Sequence, residues 1–167
     1  MTYKRFEDLP VWKDALALAV KTYSLTSKPP FRRQYSLRDQ VERAAVSISN
    51  NIAEGFERGT TQELLTFLYI ARGSAGEVRS MLCLFEALPE FSNSKSEISD
   101  LKSKAESISR QLRAWADSLQ NSPITGQRHL TDKARRVAQA RADRDEFLKR
   151  LQLIRDSGNP AGAGPQQ

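Results

Sequence analysis

At 167 residues, 39% hydrophobic and 28% charged, the chain is long enough for one domain with a proper core and too short to divide comfortably into two. No run of about 18 apolar residues occurs, which excludes a transmembrane helix, and the opening MTYKRFEDLPVW turns acidic at Glu7 and Asp8, where a secretory signal needs an apolar stretch. The formal net charge of +6 favours anionic partners over anionic surfaces of its own.

Helical periodicity recurs along the chain, and no strand alternation competes with it. The first helix is expected to start around Asp8, with Pro10 near the first helical position, where a missing N–H costs nothing. It carries Val11, Trp12, Ala15, Leu16, Leu18, Ala19 and Tyr23 inward or onto a shared seam, and it stops before Pro29-Pro30. Ser36-x-x-Asp39 resembles a capping box for the second helix. Leu37, Val41, Ala44, Ala45, Ile48 and Ile52 then follow the 3.6-residue period, with Gly55 and Gly59 as left-handed stops. Thr60-x-x-Glu63 is another capping box and opens the most regular stretch: Leu64, Leu68, Ala71, Ala75, Val78, Leu82 and Phe85 alternate steps of four and three until Leu88-Pro89. The fourth helix begins at Ser94-x-x-Glu97 and repeats the pattern at Ile98, Leu101, Ala105, Ile108, Leu112, Trp115 and Leu119.

Four amphipathic helices on short loops can bury their stripes only against one another, so residues 1–122 are expected to form an all-α, antiparallel up-down four-helix bundle. Residues 123–130 read as a linker. Residues 131–156 read as a basic helical arm with a weak apolar pattern at Val137, Phe147, Leu148, Leu151 and Ile154, and the Gly/Pro-rich residues 157–167 as a disordered tail. The charge follows this division. Residues 1–122 hold seventeen basic and fifteen acidic side chains, a net +2, whereas residues 127–155 hold nine and four, a net +5.

Signals of enzymatic chemistry are nearly absent, and the expectation is a protein that is not an enzyme. The single histidine, His129, lies beside the linker and reads as an exposed polar residue. No Glu-x-x-His pair supports a di-metal site, so neither metal nor cofactor is expected, and no small-molecule substrate. Cys83, the only cysteine, can form no intramolecular disulfide; it reads as a buried, inert thiol and points to a reducing cytoplasm. Arg72-Gly73-Ser74-Ala75-Gly76 lacks the Lys-Ser/Thr of a phosphate loop, and its small residues suit close helix packing.

Two features point to binding. Arg43, Ser47, Asn50 and Glu54 recur at i, i+4, i+7 and i+11 on one helical stripe, with Asn51 beside them. Such a stripe is either a solvated face or a hydrogen-bonded seam between helices or subunits, since Ser and Asn are poor helix formers and buried polar groups must be paired. Ser47, Asn50, Asn51 and Glu54 are therefore the candidate subunit-interface residues. The second feature is the arginine set Arg32, Arg33, Arg38, Arg43, Arg58, Arg72 and Arg79 in the bundle, with Arg135, Arg136 and Arg141 in the arm. A planar guanidinium suits phosphate oxygens, which makes these the candidate nucleic-acid contacts, for RNA in preference to DNA. A scaffold that binds only protein is the alternative.

Three blocks carry a resemblance: Arg5-Phe6-Glu7-Asp8-Leu9-Pro10-Val11-Trp12-Lys13, then Leu37 to Ile48 with Asn51-Ile52-Ala53-Glu54-Gly55, and Phe67-Leu68-Tyr69-Ile70-Ala71-Arg72-Gly73-Ser74. Over roughly residues 3–120 the chain resembles the bacterial four-helix bundle family named for proteins encoded in intervening sequences of large-subunit ribosomal RNA genes. That family is similar to the accessory variability protein of diversity-generating retroelements. The resemblance implies a homopentameric, positively charged barrel that binds nucleic acid and associates with a reverse transcriptase. It implies no catalytic site, and nothing after Pro123 inherits from it.

Overall fold

A computed structural model describes residues 3–121, 140, 143–150 and 152–153. The chain divides into two compact units, residues 1–128 and 129–167. The first unit holds a 3-10 turn at Phe6–Asp8 and then α1 (Pro10–Thr26), α2 (Pro29–Arg32), α3 (Tyr35–Glu57) and α4 (Thr61–Ala87). A second 3-10 turn, Pro89–Ser94, leads into α5 (Lys95–Gln120). No β-strand occurs among the described residues. In the second unit, residues 143–150 are helical.

The long helices α1, α3, α4 and α5 form the bundle, each packing on its neighbours in sequence while α1 closes the ring against α5. Cross-helix hydrogen bonds fix the antiparallel register. Gln40 reaches Glu77 and Ser47 meets Ser74 across α3 and α4, while Asp14 of α1 accepts from both Lys104 and Gln111 of α5. The apolar stripes behave as their spacing requires. All seven periodic positions of α4 are buried, as are Ile98, Leu101, Ala105, Ile108 and Leu112 of α5. Each buried Leu or Ile contributes about 1.5–3 kcal/mol from its removal from water. Ala15, Ala45, Ala71, Ala75 and Ala105, all fully buried, keep the helix axes close where the four stripes meet.

One end of the bundle is sealed by aromatics. Phe31 of α2 stacks on Phe91 at 4.2 Å between ring centroids and meets Phe85 edge-on at 5.2 Å, with all three rings buried. Pro29 and Pro30 occupy the first turn of α2, so the double proline that ends α1 also starts this short helix and seats Phe31.

Several local expectations need correction. Ser36 caps nothing: α3 already starts at Tyr35, with Gln34 at its N-cap, because α2 leaves only two residues before it. Gly55 is no stop either. It lies buried inside α3, where an added Cβ would come within 2.6 Å of Phe67 Cβ, so the glycine is there for contact with α4. The helix ends at Glu57 with Arg58 extended, and Gly59 lies in open space with no left-handed backbone. Ser94 makes no cap bond, and Glu97 turns instead to Lys28. Thr60 does cap as expected: its Oγ1 accepts from the Glu63 N–H at 3.2 Å and donates to Glu63 Oε2 at 2.7 Å.

Candidate nucleic-acid and subunit interfaces

The polar stripe of α3 splits into two parts. Ser47 and Asn51 turn towards α4. Asn51 Nδ2 donates to the Ser47 carbonyl at 2.7 Å and to its Oγ at 3.0 Å, and that Oγ lies 2.9 Å from Ser74 Oγ. This is a hydrogen-bonded seam inside one chain. Asn50 and Glu54 face solvent, and Arg43 pairs with Asp39 at 3.2 Å. Together with Val46 and with Tyr23 of α1, these residues line a shallow groove of about 370 Å³ on the outside of the bundle.

Beside this groove α1 presents an apolar edge. Leu16, Val20 and Tyr23 follow one another at i, i+4 and i+7 and are 43%, 62% and 48% exposed. Leu16 and Tyr23 therefore belong to an outer seam and not to the interior, while Trp12 is half-buried against the core. Val20, which the expected seam did not include, completes this edge between Leu16 and Tyr23.

The arginines are scattered over the bundle, and most are neutralised by their own neighbours. Arg58 pairs with Glu54 and lies over the Phe67 ring. Arg79 faces Glu106 at 3.9 Å. Arg38 sits 3.7 Å from Glu42, and its guanidinium lies over the Tyr35 ring. The exposed pairs at Arg43, Arg58 and Arg79 contribute at most about 1 kcal/mol each, yet they and the half-buried Arg38–Glu42 pair cancel the local field that a phosphate would feel. Arg32 donates to the Ser27 carbonyl at 2.7 Å and meets no carboxylate among the described residues; neither do exposed Arg33 and half-buried Arg72. Tyr35, between Arg33 and Arg38 in sequence, is the aromatic that sequence reasoning passed over: it is 72% exposed. Arg135, Arg136, Arg141 and His129 lie outside the described residues.

Other polar groups of the bundle pair across helices. Asp14 is held below the ordinary carboxylate range, foremost by the hydrogen bond from Gln111 and further by Lys104. The Lys102 ammonium is pushed up, chiefly by Glu86. A smaller cleft of about 200 Å³ between α1 and α5 is lined by Lys21, Ser24, Glu97, Asp100, Leu101 and Lys104. No group of three potential metal ligands occurs among the described residues, and no helix there is long and apolar enough to cross a membrane. Cys83 is exposed on α4, contrary to its expected burial, because the inner stripe passes through Leu82 and Phe85 and leaves position 83 outside. Gly73 and Gly76 also face open space, so they do not serve helix packing among the described residues.

No curated protein matches the chain. A family model, described as 23S rRNA-intervening sequence protein, matches residues 7–114, from the turn before α1 into the last third of α5. That span takes in the groove, the apolar edge of α1 and every arginine singled out in the bundle, and by it the chain belongs to the 23S rRNA-intervening sequence protein family.

Proposed function

We propose that the protein is a non-enzymatic, cytoplasmic accessory factor that binds nucleic acid, structured RNA in preference to DNA, and acts as a homo-oligomer. The observation that carries this reading is the division of charge. The bundle neutralises most of its arginines internally, while Arg32, Arg33 and Arg72 meet no carboxylate among the described residues and residues 127–155 carry a net +5. Charge placed this way attracts phosphate without base readout, so sequence preference is weak. The family's name, with its tie to ribosomal RNA genes, supports RNA. The groove on α3 and the apolar edge of α1 are the surfaces offered to a second subunit. The resemblance to the retroelement accessory protein extends the reading to a homopentamer that meets a reverse transcriptase.

Filter binding to a structured RNA at several salt concentrations tests the proposal. Affinity should fall with salt along a log–log line whose slope reports the number of phosphates neutralised, and deletion of residues 123–167 should flatten it. Micromolar or weaker binding with no salt slope would sink it. The exposure of Leu16, Val20 and Tyr23 also supports the second reading, a scaffold that binds only protein. That reading predicts assembly without RNA affinity.

A further inference from the structure

Tyr35 is the most exposed large hydrophobic side chain among the described residues, at 72%. A single exposed aromatic is ordinary on a protein surface. This one stands on an unusually fixed base. Two residues separate α2 from α3 helical backbone, α2 is locked by Pro29 and Pro30, and Phe31 is plugged into the Phe85–Phe91 cluster with no exposure of its own. Four residues apart, one ring is therefore sealed inside while the other is held out in solvent.

The charges around that ring are equally ordered. The Arg38 guanidinium lies 5.6 Å from the Tyr35 centroid and backs one face, leaving the other open at this exposure. The carboxylates around the corner each have a partner: Glu42 lies 3.7 Å from Arg38 and accepts from Thr26, Asp39 pairs with Arg43, Glu90 accepts from Gln34 at 2.6 Å, and Glu97 pairs with Lys28. Arg32 is steadied by its bond to the Ser27 carbonyl, and Arg33 has no anionic partner among the described residues. The corner thus combines an open π-face, the Glu42-paired Arg38 behind it and, close by in sequence, two arginines that meet no carboxylate among the described residues. A ligand that satisfies all three has a flat aromatic ring joined to a phosphate.

We propose that Tyr35 is a stacking platform for one unpaired nucleotide, with the base on its open face and the adjoining phosphate on Arg33 and Arg32. This rests on the nucleic-acid reading above and adds to it a preference for unpaired over duplex segments. Stacking on an aromatic ring tolerates any base, because every base has a π-face. A base held inside a duplex cannot reach the ring without being extruded.

Fluorescence anisotropy with the full chain tests this, using a labelled oligouridine, an oligothymidine of equal length and an RNA duplex. Tyr35→Ala should weaken binding to the unpaired oligomers roughly tenfold and change duplex binding less than twofold. Tyr35→Phe should restore the affinity, since it keeps the ring. Arg33→Gln should lower the salt slope by about one. Equal losses on both oligomers identify base and phosphate as the shared ligand, and a loss confined to oligouridine identifies RNA. Because Tyr35 makes no core contact, the thermal midpoint of Tyr35→Ala should stay at the parent value. If the parent binds RNA and Tyr35→Ala binds the unpaired oligomers equally well, or loses duplex binding in step, the platform is wrong while the nucleic-acid reading stands. If the parent binds none of the three, both fall.

Discussion

The inner stripe of α4 and the outer edge of α1 are written in the same code and meet opposite fates. Leu64, Leu68, Val78, Leu82 and Phe85 recur at helical spacing and are buried to within 1%. Leu16, Val20 and Tyr23 recur at helical spacing too, and roughly half of each remains in water. Periodicity reports that residues share a face. It says nothing about who covers that face. In α4 the chain itself supplies the cover, through α3 and α5. On α1 the inner face is already taken by Val11, Ala15, Leu18, Thr22 and Leu25, and no described part of the bundle covers the outer residues.

The comparison breaks most visibly at Phe85. The ring is fully buried against the stacked pair Phe31 and Phe91, and its removal leaves a cavity that those two rings cannot fill without moving α2. Phe85→Ala should cost about 3–5 kcal/mol in denaturant unfolding. A loss below about 1 kcal/mol would mean that the aromatic cluster is not the anchor of that end of the bundle. Gly55→Ala comes next. The new methyl would meet Phe67 Cβ, an atom close to the α4 backbone that cannot swing aside, so the two helices must separate slightly. An overpacking cost of about 1–3 kcal/mol is expected from thermal unfolding. A stabilised Gly55→Ala, as an ordinary helical glycine would give, would show that the α3–α4 contact is looser than drawn.

These two positions also mark how far sequence reasoning reaches. The four long helices, their order and most inner positions of α3, α4 and α5 were legible, since a 3.6-residue stripe can be buried in few ways; buried Phe56, Leu65, Met81 and Ala116, which flank the stripes, and the short α2 were not. Gly55 was misread because a glycine near a helix end has two physical uses, and only the neighbouring Phe67 decides between them. The cap signal gave the wrong start at Ser36, and Ser94, which does stand at the N-cap of α5, makes no cap bond, for a related reason. The Phe31 plug and the turn through Phe91 place the helix starts, and these tertiary contacts outweigh a cap worth about 1 kcal/mol. Of the binding features, the α3 stripe was legible as a set, but not its division into an internal seam at Ser47 and Asn51 and an open groove at Asn50 and Glu54. The arginines were legible as residues and not as free charges, because pairing depends on which carboxylates the fold brings near.

The smallest effect on stability is expected where the comparison is sharpest, at Val20. A valine 62% exposed contributes little to the fold of its own chain, and Val20→Ser should change the unfolding free energy of the isolated subunit by no more than about 0.5 kcal/mol. If α1's outer edge is a subunit interface, the same substitution places a hydroxyl in an apolar contact repeated at every interface of the assembly. Sedimentation velocity should then show the mass falling towards that of one chain at concentrations where the parent remains assembled. The parent's thermal midpoint should rise with protein concentration, and the variant's should not. Those two readouts separate a fold effect from an interface effect, because a core mutation lowers the midpoint at every concentration alike. A variant that keeps both the parent's mass and its concentration dependence would leave α1's edge as an unusual but uncovered surface. The subunit contact would then have to be sought on the exposed face of α4, where Ile70, Gly73, Gly76 and Leu84 also face outward.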